Sequence, residues 1–130
     1  DCCVGQADEA NYDEAIWRLQ GGQWSWSPPL YAPSPMELPA ISNGYVTFGI
    51  TARGLRLNQE SLDGYAKILQ AIPSARLRFI GMPSADWSQR SEILSLLKNE
   101  GIDSKRIEFD RPCNYEEFLT WFQKIDIVLD

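Results

Sequence analysis

The stretch Tyr45-Val46-Thr47-Phe48-Gly49-Ile50 decides the fold. It is β-branched and aromatic, with turn residues before it and a polar loop after it, and it reads as a buried strand. Beyond the loop, Asn58 can cap a helix, because its side-chain oxygen can take an orphan backbone N–H of the first turn. Leu62, Tyr65, Ala66, Leu69 and Ile72 keep the i, i+3, i+4, i+7 spacing of one apolar face, and Pro73-Ser74 ends the run.

The same strand–helix alternation recurs downstream. Arg76-Leu77-Arg78-Phe79-Ile80-Gly81 reads as a second, partly alternating strand. A helix from about Ser88 carries Ile93, Leu94 and Leu97, and Gly101 sits where a C-terminal glycine belongs. Arg106-Ile107-Glu108-Phe109-Asp110 is a third strand. Asn114 then caps a third helix, with Glu117 spaced to return a capping-box bond and Phe118, Leu119 and Phe122 as its inner face. Ile125-Asp126-Ile127-Val128-Leu129 is a fourth strand. Four strands joined by helices at crossover spacing predict an α/β fold, a parallel Rossmann-like sheet of βαβαβαβ order.

Composition divides the chain near residue 43. Residues 1–43 hold Trp17, Trp24, Trp26 and most of the prolines, and read as a Trp/Pro-rich arm; 44–130 read as an incomplete Rossmann-like domain. In the arm, Tyr12 to Leu19 could form a short helix, and 21–29 has strand-like alternation until Pro28-Pro29 stops it. Pro33, Pro35 and Pro39 favour an extended path to the turn pair Asn43-Gly44. Trp24 and Trp26 suit a sugar-stacking platform or, more simply, pins onto a neighbouring domain.

Charge and composition remove several classes of function. The 130 residues carry a net charge of −6 and a pI near 4.6, which opposes binding to nucleic acid or an anionic membrane. There is no histidine, so the chain alone offers no histidine triad and no histidine-ligated zinc. Cys2, Cys3 and Cys113 form no disulfide framework or metal signature, and read as free thiols of a reducing, cytoplasmic setting. No run is long enough for a membrane span and the start lacks a signal-peptide pattern. The chain does not open with Met, and the expectation is a processed chain or a piece of a longer one.

In open parallel sheets, ligands bind at the carboxyl ends of the strands. The loop after the first strand, Gly49-Ile50-Thr51-Ala52-Arg53-Gly54-Leu55-Arg56, precedes a helix N-terminus and carries two arginines, which suits a diphosphate. It is neither a Walker loop nor a dinucleotide fingerprint, and two arginines can equally be solvated charges. The loop Gly81 to Trp87 suggests no chemistry. The loop Asp110-Arg111-Pro112-Cys113-Asn114-Tyr115 could hold a flat base against Pro112 or Tyr115, or be a plain turn around a buried Cys113. Without a base beside it, Cys113 is no catalytic thiol.

Several of these stretches resemble one family. Leu38-Pro39-Ala40 with Asn43-Gly44-Tyr45-Val46-Thr47-Phe48-Gly49, then Tyr65-Ala66-Lys67-Ile68-Leu69 with Ile72-Pro73-Ser74-Ala75-Arg76-Leu77, then Gly101-Ile102-Asp103 with Arg106-Ile107, match the SPINDLY-type O-linked N-acetylglucosaminyltransferases in order and spacing. The run Tyr115 to Asp130 resembles the last helix and strand before that family's glycine-threonine donor motif. Upstream, Glu14 to Leu19 and the Trp-Ser-Pro-Pro stretch resemble the end of its N-terminal catalytic half.

The resemblance implies a GT-B glycosyltransferase, of which this chain is the linking arm and the first part of the C-terminal donor-binding half. Such an enzyme transfers N-acetylglucosamine from a nucleotide donor such as UDP-N-acetylglucosamine to Ser or Thr of an acceptor protein, with no metal and no separate cofactor. It implies donor contacts at Gly49, Thr51, Arg53, Arg56, Pro112, Cys113 and Tyr115. The family's diphosphate-neutralising lysine falls on Arg56, which keeps the charge but changes its geometry. The two amide residues before it fall on Ala52 and Arg53. No catalytic residue is expected within this chain. Its implied partners are the rest of a cytoplasmic, bacterial parent with its other catalytic half and tetratricopeptide repeats, and the chain alone is expected to be inactive. The alternative is a degenerate, non-catalytic Rossmann-like module for protein contacts. A receiver-like domain fits poorly, because the first strand lacks the acidic pair that would hold magnesium.

Overall fold

A computed structural model of the chain describes residues 6–17, 27–51, 57–81 and 87–129. The chain forms two compact units, Asp1–Leu30 and Tyr31–Asp130. The compositional boundary expected at residue 43 therefore lies inside the second unit. There, Gln123 donates from Nε2 to the Ser34 carbonyl at 3.2 Å, and Pro33–Pro39 line a small groove with Leu119 and Phe122.

In the first unit a 3-10 turn spans Gln6–Asn11. The helix expected from Tyr12 is not formed over Tyr12–Trp17. Only Ile16 in that stretch is even partly buried, and an isolated short helix without a face to bury is marginal. The expected strand-like run at 21–29 lies largely outside the described residues, as do Trp24 and Trp26.

The second unit contains α1 (Pro39–Asn43), β1 (Thr47–Ile50), α2 (Gln59–Ala71), β2 (Arg76–Phe79), α3 (Trp87–Asn99), β3 (Ile107–Phe109), α4 (Tyr115–Trp121) and β4 (Ile127–Leu129). The four strands form one parallel sheet in the order β3-β2-β1-β4. The chain thus winds outward from β1 to β3 and then crosses to the other side of β1, which puts the topological switch between β1 and β4.

Strand alternation sorts side chains between the two faces. Phe48, Ile50, Leu77, Phe79 and Ile107 point to one face, where they pack with Leu62, Ala66 and Leu69 of α2 and Ile93 and Leu97 of α3. Phe79 stacks on Phe109 with centroids 5.0 Å apart. The other face is covered by α4 through a smaller cluster of Ile80, Trp121 and Ile125. Beside it, β2 and β3 present charged side chains: Arg78 pairs with Glu108 at 2.9 Å, and Arg76 lies 4.1 Å over the Tyr45 ring.

The helix ends follow local rules. Asn58 Oδ1 accepts from Ser61 N at 2.9 Å, as its position predicts. Gly101 has φ +79 and directs the Ile102 N–H back to Leu97 O, closing α3. Asn114 Oδ1 caps α4 through Glu117 N at 2.9 Å. The expected reciprocal bond is replaced, because the Glu117 carboxylate takes Arg111 Nη2 at 2.8 Å.

The extended path expected through Pro39 gives way to α1. Proline suits a first helical position, and Gly44 closes the turn at φ +74. The decisive group is distant in sequence. The Asp126 carboxylate accepts from Ala40 N with one oxygen and from Thr47 N with the other, both at 2.8 Å. It therefore serves one orphan donor of α1 while joining β1 to the start of β4. Among the described residues, no helix is long and apolar enough to cross a membrane.

Candidate functional site

A cleft of about 490 Å³ opens at the carboxyl ends of the first three strands. Thr51 comes from the end of β1, Ile80 and Gly81 from the end of β2, and Pro112, Cys113, Asn114 and Tyr115 from the loop between β3 and α4. Phe118 completes it from the first turns of α4. Four residues singled out from the sequence (Thr51, Pro112, Cys113 and Tyr115) therefore meet in one place. Gly49 does not line the cleft. It lies inside β1 under α4, and a Cβ there would come 2.7 Å from both Ile125 Cγ2 and Trp121 Cη2. Arg53 and Arg56 lie outside the described residues.

Sequence reading missed Ile80, Gly81 and Phe118 as cleft residues. A signal for Phe118 was available: it follows Tyr115 by three, so both lie on one side of the helix. Their rings are stacked at 6.4 Å and 26°. The described lining of this cleft carries no formal charge and offers aromatic rings, a proline and exposed backbone. Such a surface suits a flat, neutral ring better than a phosphate.

A second cleft, of about 470 Å³, shares Ile80, Cys113 and Asn114 and extends along α4 past Asp110, Arg111, Glu116, Glu117, Thr120, Trp121 and Lys124. Its floor is an ordered polar network. Arg78 grips Asp110 with two nitrogens, Nη2 to Oδ1 at 2.8 Å and Nε to Oδ2 at 2.5 Å, and Trp121 Nε1 donates to Oδ2 at 2.8 Å. Burial opposes ionisation of Asp110. The bonds from Arg78 and Trp121, with the charges of Arg78 and Lys124, outweigh it and hold the carboxyl below the ordinary carboxylate range. The bond to Asp110 likewise raises Arg78, against burial and with help from Asp110, Glu108 and Tyr45. Among the described residues, no three acidic or cysteine side chains converge as metal ligands.

A parallel sheet wound in this order, with its cleft at the carboxyl ends of the strands, is a Rossmann-like domain. Known proteins narrow that class. No protein-family model matches the chain. It is 36% identical over 83 residues to a probable UDP-N-acetylglucosamine–peptide N-acetylglucosaminyltransferase SPINDLY of Arabidopsis thaliana, and 35% identical over 83 residues to that of Solanum lycopersicum. Each alignment takes in 60% of this chain, which spans only 9% of the length of those relatives. Among solved structures, a mutant O-GlcNAc transferase of Thermobaculum terrenum superposes with a TM-score of 0.70 at 32% identity, covering 79% of this chain and 19% of that one. In both sequence and fold, the chain is similar to part of these O-GlcNAc transferases.

Proposed function

We propose that the chain is the first part of the donor-binding half of a GT-B protein O-glycosyltransferase, with UDP-N-acetylglucosamine as donor and Ser or Thr of a protein as acceptor. The observation that carries this reading is the cleft formed by Thr51, Pro112, Cys113, Tyr115 and Phe118 at the carboxyl ends of the strands, whose described lining carries no formal charge. The uracil ring enters this cleft and packs against Tyr115 or Phe118, while backbone groups of 112–114 meet its polar edge. By the family resemblance, Arg56, with Arg53 near it in sequence, supplies positive charge against the developing negative charge of the leaving diphosphate. No catalytic base is assigned within the chain. Residues outside it complete the reaction, in a cytoplasmic, bacterial parent with a further catalytic half and tetratricopeptide repeats, as the family resemblance implies.

The test is a titration of the 130-residue chain with UDP, followed by amide NMR. Weak binding is expected, with Kd of roughly 0.1–1 mM, shifts centred on 112–118 and 51, and a clear loss in Tyr115→Ala. Absence of shifts at about 5 mM UDP, or equal shifts with ADP, would overturn the uridine assignment. In a longer parent, Arg56→Ala should reduce donor affinity and turnover; unchanged values would remove that role from Arg56.

One observation favours a non-catalytic protein-contact module instead. Met36, Leu38 and Ile41 are exposed at 67%, 55% and 71%, an apolar patch on one short segment. Sugar transfer by the parent that disappears with a donor-loop substitution would eliminate this alternative.

A further inference from the structure

We propose that Asp110 is a positioning residue for the cleft: through its bond to Trp121 it sets the aromatic wall, formed by Phe118 and Tyr115, against which a bound ring packs. This rests on the donor-site reading above.

The geometry forms a continuous series. Arg78 and Trp121 both bind Asp110, and the acid belongs to the loop that continues β3, where its N–H donates to Phe79 O at 2.8 Å. Asp110 is thus fixed to the sheet by backbone and side chain before it touches α4. Trp121, only 3% exposed, lies over Gly49 of β1 while its Nε1–H reaches Asp110 beyond the end of β3. The indole therefore spans the sheet face across β2. Its two ends are held differently: close packing holds Cη2 against Gly49, and the bond to Asp110 holds Nε1.

From Trp121 the order passes along α4 at three-residue spacing. Phe118 lies nearly parallel to the indole, at 6.4 Å and 5°, and Tyr115 stacks on Phe118 at 6.4 Å and 26°. Phe122 braces both Phe118 and Trp121 edge-on, at 5.0 and 5.4 Å. Among the described residues, Phe118 and Tyr115 are the aromatic linings of the cleft. Asp110 is linked to these rings by its hydrogen bond to Trp121. It acts through the indole, and the charge pair with Arg78 holds its carboxylate in the orientation the indole needs.

The test compares wild type, Asp110→Ala, Asp110→Asn, Trp121→Phe and the Asp110→Ala/Trp121→Phe double variant for UDP affinity and for the ring resonances of Phe118 and Tyr115. Asn keeps an acceptor for the indole, and Phe keeps an aromatic ring but lacks the donor. Asp110→Ala should weaken UDP about fivefold, with Asp110→Asn recovering most of the loss. Adding Asp110→Ala to Trp121→Phe should change affinity little further, because the bond is already gone. Arg106→Ala, remote from the cleft, serves as a destabilised control whose folded form should bind UDP as wild type does.

Wild-type affinity in Asp110→Ala, or losses in Asp110→Ala and Trp121→Phe that multiply in the double variant, would overturn the proposal. So would a matching loss of affinity in folded Arg106→Ala. If Asp110→Ala does not fold, Trp121→Phe carries the test, and wild-type affinity there overturns the proposal. If the wild-type chain binds no UDP, the donor reading fails and the rings alone decide. Phe118 and Tyr115 resonances that move in Asp110→Ala but hold in Asp110→Asn support the positioning role; unmoved rings overturn it.

Discussion

Trp121 lies against Gly49 so closely that a single methyl group cannot enter between helix α4 and strand β1. A Cβ on residue 49 would stand 2.7 Å from Trp121 Cη2 and 2.7 Å from Ile125 Cγ2, distances that real Cβ contacts do not reach. Gly49→Ala must therefore lift α4 or rotate Ile125, and overpacking of this kind costs about 1–3 kcal/mol. A melting temperature lower by roughly 3–15 °C is expected. Ile125→Ala in the same chain should recover part of the loss, and calorimetry on the single and double variants checks both.

Asp126 carries a second long-range constraint. Removing its carboxylate leaves the N–H groups of Ala40 and Thr47 without their acceptor, and Thr47 is buried at 6% exposure. Asp126→Ala should cost about 1–3 kcal/mol in urea unfolding. Amide exchange should rise at Ala40 and Thr47 first, before it rises in α2.

Arg106 links the start of β3 to the end of α2. Its Nε donates to Ala75 O at 2.9 Å, and Nη2 donates to Leu69 O at 2.8 Å and Ile72 O at 2.9 Å. Of these, Leu69 O belongs to the last turn of α2, whose carbonyls a helix leaves unserved. Arg106→Ala should destabilise by about 1–3 kcal/mol. Lys, with one cationic nitrogen in place of the planar fork, should restore less than half of that in a denaturant titration.

Acid should act on Asp110. Its carboxyl is held below the ordinary 3.8 in the folded chain, so folding favours the ionised form. That contribution is fully present above the unfolded value, near pH 4, and is lost as pH falls through the lower folded value. Stability measured from roughly pH 5 down to pH 2 should fall less steeply in Asp110→Asn than in wild type. Equal slopes would mean that Asp110 is not among the groups driving acid unfolding.

Much of the fold was legible because its determinants are local or periodic. The alternation of β-branched runs with 3.6-period helices sufficed for four parallel strands and the helices between them. Asn58, Asn114 and Gly101 marked helix ends through bonds that span three to five residues. Part of the cleft was legible too, since a parallel sheet brings the loops after its strands to one end, which is why Thr51, Pro112, Cys113 and Tyr115 could be grouped in advance.

Tertiary structure decided what depends on partners far apart in the chain. Helix α1 exists where an extended proline path was expected, because a carboxylate 86 residues away accepts the Ala40 N–H. Gly49 resembles a loop glycine in sequence and is a packing glycine in space, since only the docking of Trp121 shows what lies above it. Glu117 has the spacing of a capping box, yet its carboxylate turns to Arg111. The bond between Asp110 and Trp121 has no sequence signature at all. Sequence periodicity carries the direction of each side chain relative to its own element, whereas contacts between elements depend on strand order and helix placement, and these exist only once the sheet has formed.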